Sequence, residues 1–403
     1  MFRSLRTRSG RSGLALDHGT HLWLEYHLKS LKACMDPETR ECGWDVEARW
    51  TGDPSKGGTD SALGRAGRLA VRNAWFSEKR PETYGPIQGS EGIHPVDAVI
   101  LRTEAFLRTA IKIADAPDVS EKIHPCTLID LLTRRAACLE RLAKADTAHL
   151  AEARVQYERA WNLLGGKGIQ AARIAVKLGD VSQRLQSPDA LAWWARAISL
   201  VSPQDSPTLV PTAPSTPPPS PAAQRVLVSA LVSCSAFYAT TRQLSEAKKV
   251  DEASLNLLRS IPSPDSLATT SPPQTLHSLT LLHRSAIFSS HLAEVSYAQR
   301  APIAQCLQRL KDAAASSERV AYALVGTSVR AAESAEPDVE RPLLPEFAKN
   351  PHLEKPASDL LRDARRTAAD TWNLMGELAE RMGHKQQAYE YYQRAIGWAG
   401  RHY

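Results

Sequence analysis

Chemistry in this chain would have to come from its cysteines, histidines and glycine-rich turns. The six cysteines are Cys34, Cys42, Cys126, Cys138, Cys234 and Cys306, with no CxxC pair. That suits small buried hydrophobes in a reducing compartment, not a disulfide framework. Cys34 and Cys42 with His21 and His27 could supply zinc donors, but their spacings match no standard zinc module. His277 and His283 are six residues apart, so they do not share a helix face as i, i+4 ligands would, and they are expected at solvated or core-edge positions. LLGGKGIQ (163–170) is a fragment of a phosphate loop without the Ser/Thr after Lys167, and it follows helix text where such a loop needs a strand; it reads as a glycine C-cap between helices. LGRAGR (63–68) fails in the same way, and HExxH, GxSxG and kinase signatures are absent. The expectation is a protein without catalytic residues, metal or cofactor.

The chain has 403 residues, 50 Lys+Arg against 44 Asp+Glu, and a net charge of +6. Four of those six units come from Arg3, Arg6, Arg8 and Arg11, so the chain beyond residue 16 carries +2. An Arg-rich, hydroxyl-rich start without an acid before Asp17 has the composition of a mitochondrial transit peptide; otherwise residues 1–16 are a basic tail of a cytoplasmic protein. The basic residues beyond it alternate with acids, so nucleic-acid binding is not expected. The longest uncharged apolar stretch, between Arg225 and Arg242, is 16 residues and rich in Ser and Thr. A transmembrane helix needs about 20 apolar residues, so this stretch reads as a buried helix and no transmembrane span is expected.

These residues must be positioned by helices. Residues 17–95 are poorly defined, with one helix in HLWLEYHLKSLKA. Helix text then runs in pairs at 96–115, 126–144, 149–164, 169–186 and 188–200, forming an array over 96–200. A linker at 201–222 holds eight prolines, and a second break at 260–274 holds four. Helices resume over 223–332, at 224–241, 244–259, 276–297 and 302–330; a loop covers 333–357 and a last unit covers 358–403. No alternating run argues for a strand. The fold class is all-α, built from helical hairpins and interrupted by Pro-rich loops.

The carboxy-terminal unit supplies a period. Trp372, Met375, Gly376, Ala379, Gly383, Ala388, Tyr392 and Ala395 fall at the spacings of the tetratricopeptide (TPR) repeat, which this segment resembles. Position 7 of the pattern is Met, position 11 is Ala and position 32 is Gly, where the family has Leu, Tyr and Pro. Gly179, Ala190, Trp194 and Ala197 form a second copy, one residue short in the turn. Ala153, Tyr157 and Ala160 form the second helix of a third, with Ala137 as the small residue of its first helix. A fourth places Ser235 and Ala247 correctly but has Asp251 at the aromatic position. Residues 96–115 and 276–330 take no repeat register. No capping helix follows the last repeat, which leaves Trp398 short of cover and suggests docking or dimerisation.

The resemblance implies a TPR-like α-solenoid whose first helices line a groove for an extended or helical partner segment. Carried over by position, Arg173 and Lys177 resemble the basic half of a carboxylate clamp, with Arg134 and Arg135 from the preceding copy. Asp370, Asn373 and Glu377 face the groove from the last. The clamp's partner asparagines are missing, so the milder expectation is a basic patch for an acidic protein segment. The layout is also similar to fungal mitochondrial TPR proteins, among them the adaptor of the inner-membrane i-AAA protease. That likeness implies a protease or chaperone complex as partner and a place in mitochondrial protein quality control. The alternatives are an organellar RNA-binding repeat protein, or an enzyme whose site is assembled from distant residues on a helical scaffold.

Overall fold

The computed structural model describes residues 34, 36–50, 58–79, 95–143, 147–202, 211–262, 269–327 and 341–400. The Arg-rich start, His21, His27 and the expected helix at 21–33 lie outside them. Every regular element among the described residues is helical. The long helices are α1 (Gly64–Lys79), α2 (Pro95–Ala114), α3 (Pro125–Leu142), α4 (Thr147–Leu163), α5 (Gly168–Arg184) and α6 (Ala190–Val201). They continue as α7 (Pro221–Thr240), α8 (Leu244–Ser260), α9 (Pro272–Ala298), α10 (Ile303–Val325), α11 (Glu354–Arg381) and α12 (Lys385–Ala399). α1 falls in the basic stretch that carried no helix expectation. Gly67 and Ala70 sit on its buried face with Val71 and Ala74, a small-residue face that the surrounding arginines disguise in the sequence. Prolines open α3, α7 and α9 at the first helical turn, where a missing N–H costs nothing. Both Pro-rich breaks therefore end as helix starts.

The described residues form two compact units, one drawn from residue 34 and residues 49–163, the other from residues 36–48 and 164–400. The boundary at Leu163/Leu164 falls inside the stretch read as one array, at Gly165 and Gly166, whose φ of +60° and +63° disfavour helix continuation.

In the first unit α1 packs on α2, α2 on α3, and α3 on α4. Asp60 ties the start of α1 to α3, accepting from the Ala62 N–H (2.9 Å), the His124 N–H (2.7 Å) and the Thr127 hydroxyl (2.6 Å). Arg135 lies buried between Glu104 of α2, at 2.9 Å, and Glu152 of α4. Ala137 is exposed while Ala136 is buried, so Ala137 is not the small residue of this crossing. The pattern was taken one residue out of phase, which on a helix turns the side chain by about 100°.

In the second unit each hairpin's first helix (α5, α7, α9, α11) packs on the next first helix and on the second helix before it. The same corner joins the two helices of all four hairpins. Gln186, Arg242, Arg300 and Gly383 adopt φ of +56°, +63°, +64° and +79°. The following N–H in each case bonds the carbonyl five residues back: Ser187 to Ser182, Gln243 to Tyr238, Ala301 to Ser296, His384 to Ala379. This is the Schellman closure of a helix end. Seven residues before each corner stands a small buried residue: Gly179, Ser235, Ala293 or Gly376. The corner thus registers the α9–α10 hairpin, which the sequence pattern left unassigned. There Cys306, Leu310 and Ala313 are buried with the same four- and three-residue spacing as Ala190, Trp194 and Ala197 in α6.

Gly179 and Gly376 sit against rings: a Cβ on them would lie 2.3 Å from Trp194 Nε1 and 2.4 Å from Tyr392 Cε1. In the α7–α8 hairpin the ring is replaced by Asp251, fully buried beside Ser235. The last hairpin is locked onto α10 by Glu318. Its carboxylate accepts from the indole N–H groups of Trp372 (2.7 Å) and Trp398 (2.8 Å), and from Arg394 Nε (2.9 Å) and Nη2 (2.6 Å). Trp398 is 3% exposed and packs against Tyr322, so α10 covers it and the expectation of a bare Trp398 is corrected. Tyr389 and Ile396 are the large hydrophobic residues that α12 leaves exposed.

Among the described residues α7 alone is long and apolar enough to cross a membrane by length and composition. It is packed against α5, α6, α8 and α9.

Candidate functional site

The first helices of the second unit each present a partly exposed stripe, at positions six and two residues before the small buried residue and one after it. On α5 these are Arg173, Lys177 and Asp180; on α7, Ser229, Ser233 and Ala236; on α9, Ile287, His291 and Glu294. On α11 these positions are Asp370, Leu374 and Glu377, with exposed Asn373 beside them. The Ser233 hydroxyl donates to Asp180 at 2.7 Å and joins the α5 and α7 stripes. The charge runs from basic on α5 to acidic on α11, where Asn373 donates to Glu377 at 3.0 Å.

Across the amino-terminal ends of α5, α7 and α9 lies a short segment of the same chain, residues 36–48. Asp36 caps its first turn, Pro37–Glu41, by accepting from the Glu38 and Thr39 N–H groups. Arg225 Nη2 donates to the Cys42 carbonyl, and Arg173 Nη2 donates to the Gly43 carbonyl at 3.4 Å. The Trp44 ring lies 3.6 Å beneath the Arg225 guanidinium, and its Nε1 donates to the Pro273 carbonyl at 3.0 Å. Arg225 is braced in turn: its Nη1 meets His277 Nδ1 at 3.4 Å, and His277 Nε2 meets Gln224 Oε1 at 3.0 Å. Gln224 Nε2 donates to the Pro218 carbonyl at 2.8 Å, which ties the Pro-rich break into the site. A neutral imidazole with its proton on Nε2 satisfies both contacts. Burial, and then the Arg225 charge, bring the His277 pKa down to about 4.

His283, likewise held down to about 4 by burial, meets Thr367 Oγ1 at 3.1 Å. Both histidines are buried helix-packing groups, which corrects their expected solvated or edge position. Asp251 departs in the opposite direction, its pKa raised to about 7 by burial that the Ser235 hydroxyl offsets only in part.

These shifts oppose one another on acidification. From pH 6.5 to 4 the unfolded chain protonates His277 and His283 and the fold does not, so stability falls as pH drops. From pH 7 to 4 the fold protonates Asp251 and the unfolded chain does not, so stability rises. Asp251→Asn should therefore raise stability at pH 7.5 by about 2 kcal/mol, the partnerless amide taking back part of the gain. It should also make the acid-side decline steeper. Urea unfolding of both proteins between pH 4 and 8 checks this; parallel curves would contradict the buried carboxyl.

Of the cations expected to face a partner, Arg173 lies at this site and Lys177 is exposed beside it. Arg134 and Arg135 do not. Arg134 lies in the first unit over the Trp50 ring, 4.2 Å from its centre, and donates to the Arg49 carbonyl. Arg135 is the buried ion pair already described. Both therefore hold contacts within the first unit, Arg134 with Trp50 and the Arg49 carbonyl, Arg135 with Glu104 and Glu152. Trp44, Arg225 and His277 were missed. Arg225 does carry a signal, as the lone charge near the head of an apolar helix.

Among the described residues no group of three or more metal-ligating side chains gathers, and no disulfide joins the six cysteines. A cleft of about 370 Å³ between α8, α9 and α10 is lined by Glu252, Asn256, Arg259, Arg309 and Asp312, charges of both signs on mostly exposed helix faces. No protein-family model matches this chain, and no curated protein matches it.

Proposed function

We propose that this protein is a non-catalytic adaptor whose second unit is a TPR-like superhelix that captures an acidic, turn-forming or extended segment of a partner protein. The observation that carries this reading is the segment at residues 36–48. It contains five acidic residues and one arginine, and arginines of two successive first helices hold it by its carbonyls. Helical-repeat proteins bind on extended concave surfaces, and some peptide sites combine main-chain hydrogen bonds with side-chain pockets. The repeated corners and glycine–ring contacts support the TPR-like register, and the basic α5 stripe supports an acidic ligand at that end. The acidic α11 stripe weighs against an RNA-binding face. Asp251, His277 and His283, whose titration is displaced, are packed between helices instead of gathered around a cavity, which weighs against an enzyme site. The Arg-led start supports a mitochondrial place, with a protease or chaperone complex as the partner class.

The test is where a partner touches the chain. A photo-reactive residue replacing Val232, half-buried on α7 beside Ser229, Ser233 and Ala236, should give protein adducts. The same residue replacing Asn256, on α8, should not.

A further inference from the structure

Resting on that reading, we propose that the pocket under Arg225 is a recognition site for a Gly-Trp turn, filled here by the chain's own residues 36–48. A partner segment presenting the same turn replaces it.

The receptor half is complete without its occupant. Arg225 is fixed by His277, His277 by Gln224, and Gln224 by the Pro218 carbonyl, all from α7, α9 and the Pro-rich stretch. What it selects is specific. Gly43 has φ +69°, and a Cβ there would lie 2.9 Å from Ala222 Cβ, so only glycine fits. The next residue must carry a flat ring with an N–H at its edge, because the slot ends at the Pro273 carbonyl and is roofed by a guanidinium. Two carbonyls before that ring must face Arg225 and Arg173. These demands read four consecutive backbone and side-chain groups, and Cys42 and Trp44 also belong to the buried cluster that holds Leu276 and Leu279. Any acidic polypeptide with Gly-Trp in a turn satisfies them. The occupant is also a separable piece of chain: it follows residues of the first unit and leads back into that unit at Arg49. Tethered in this way, it competes at an effective concentration in the millimolar range, so a partner must bind well or arrive multivalently.

The test uses the full chain with Trp44→Ala, which empties the ring slot, and a fluorescent peptide of residues 36–48. Fluorescence anisotropy should show saturable binding to the variant and at least tenfold weaker binding to the parent chain. Adding Arg225→Ala to the variant should abolish binding, as should Trp44→Ala in the peptide. A folded Trp44→Ala protein that binds no peptide overturns the proposal, and so does a parent chain that binds it equally well. If the variant fails to fold, the parent decides: millimolar peptide with Cys42→Ser should speed alkylation of buried Cys42 tenfold without changing that of Cys234. An unchanged Cys42 rate overturns the proposal. A dimer that dissolves on adding peptide would show exchange between two copies and overturn a separate partner. Peptide binding to the variant without protein adducts from position 232 would sink the adaptor reading alone; adducts without peptide binding would sink only this site.

Discussion

Glu318→Ala should cost about 3 to 5 kcal/mol and loosen the last hairpin from α10. The carboxylate is 6% exposed and serves four donors on two other helices. Removing it leaves the Trp372 and Trp398 indoles buried without acceptors, at about 1 to 3 kcal/mol each. The Arg394 contribution is smaller because that side chain is 42% exposed and water takes over part of the role of its partner. Glu318→Gln should fall between, since its one carbonyl oxygen can accept from an indole but not replace the bidentate pair. Denaturant unfolding with tryptophan fluorescence gives the magnitude, and hydrogen exchange over 385–399 gives the place. A loss below 1 kcal/mol would mean that the carboxylate is not the lock.

Gly179→Ala should cost about 3 kcal/mol or more, against about 1 kcal/mol for Gly376→Ala, although the two glycines hold the same place in their hairpins. The added methyl would fall within 2.7 Å of three atoms of Trp194. That ring cannot withdraw: it is fully buried, its Nε1 donates to Asp180 at 3.1 Å, and Phe237 meets its edge 5.8 Å away. Tyr392 is only half-buried and holds Glu380 through its hydroxyl at 3.1 Å, so it can swing toward solvent. Thermal melts of the two variants test the difference, and equal shifts would contradict it.

The two glycine–ring pairs show what was legible in the sequence. Close helix crossing demands a residue without a side chain opposite a large one, so Gly179/Trp194 and Gly376/Tyr392 declare themselves by type and spacing. The α9–α10 hairpin did not. Its crossing residue is Ala293, its ring is replaced by Leu310, and its corner is Arg300 in a left-handed conformation. Each substitution keeps the geometry and erases the sequence sign. Asp251 erases it more fully, since a buried carboxyl stands where a ring is expected. Arg173 and Lys177 follow from the register of Gly179, whereas Arg134 and Arg135 were read from Ala137, one residue away from the buried Ala136. Residues 36–48 could not be placed from sequence, because their partners lie some 130 to 230 residues away and no local pattern encodes that distance.

If the stripe of the first helices holds a partner protein, photo-adducts mapped by mass spectrometry will locate it there. With the photo-reactive residue at Val232, the account predicts adducts to polypeptide, reduced by competing 36–48 peptide, with none above background from position 256. Equal adducts from both positions, or adducts to RNA from Val232, would contradict it.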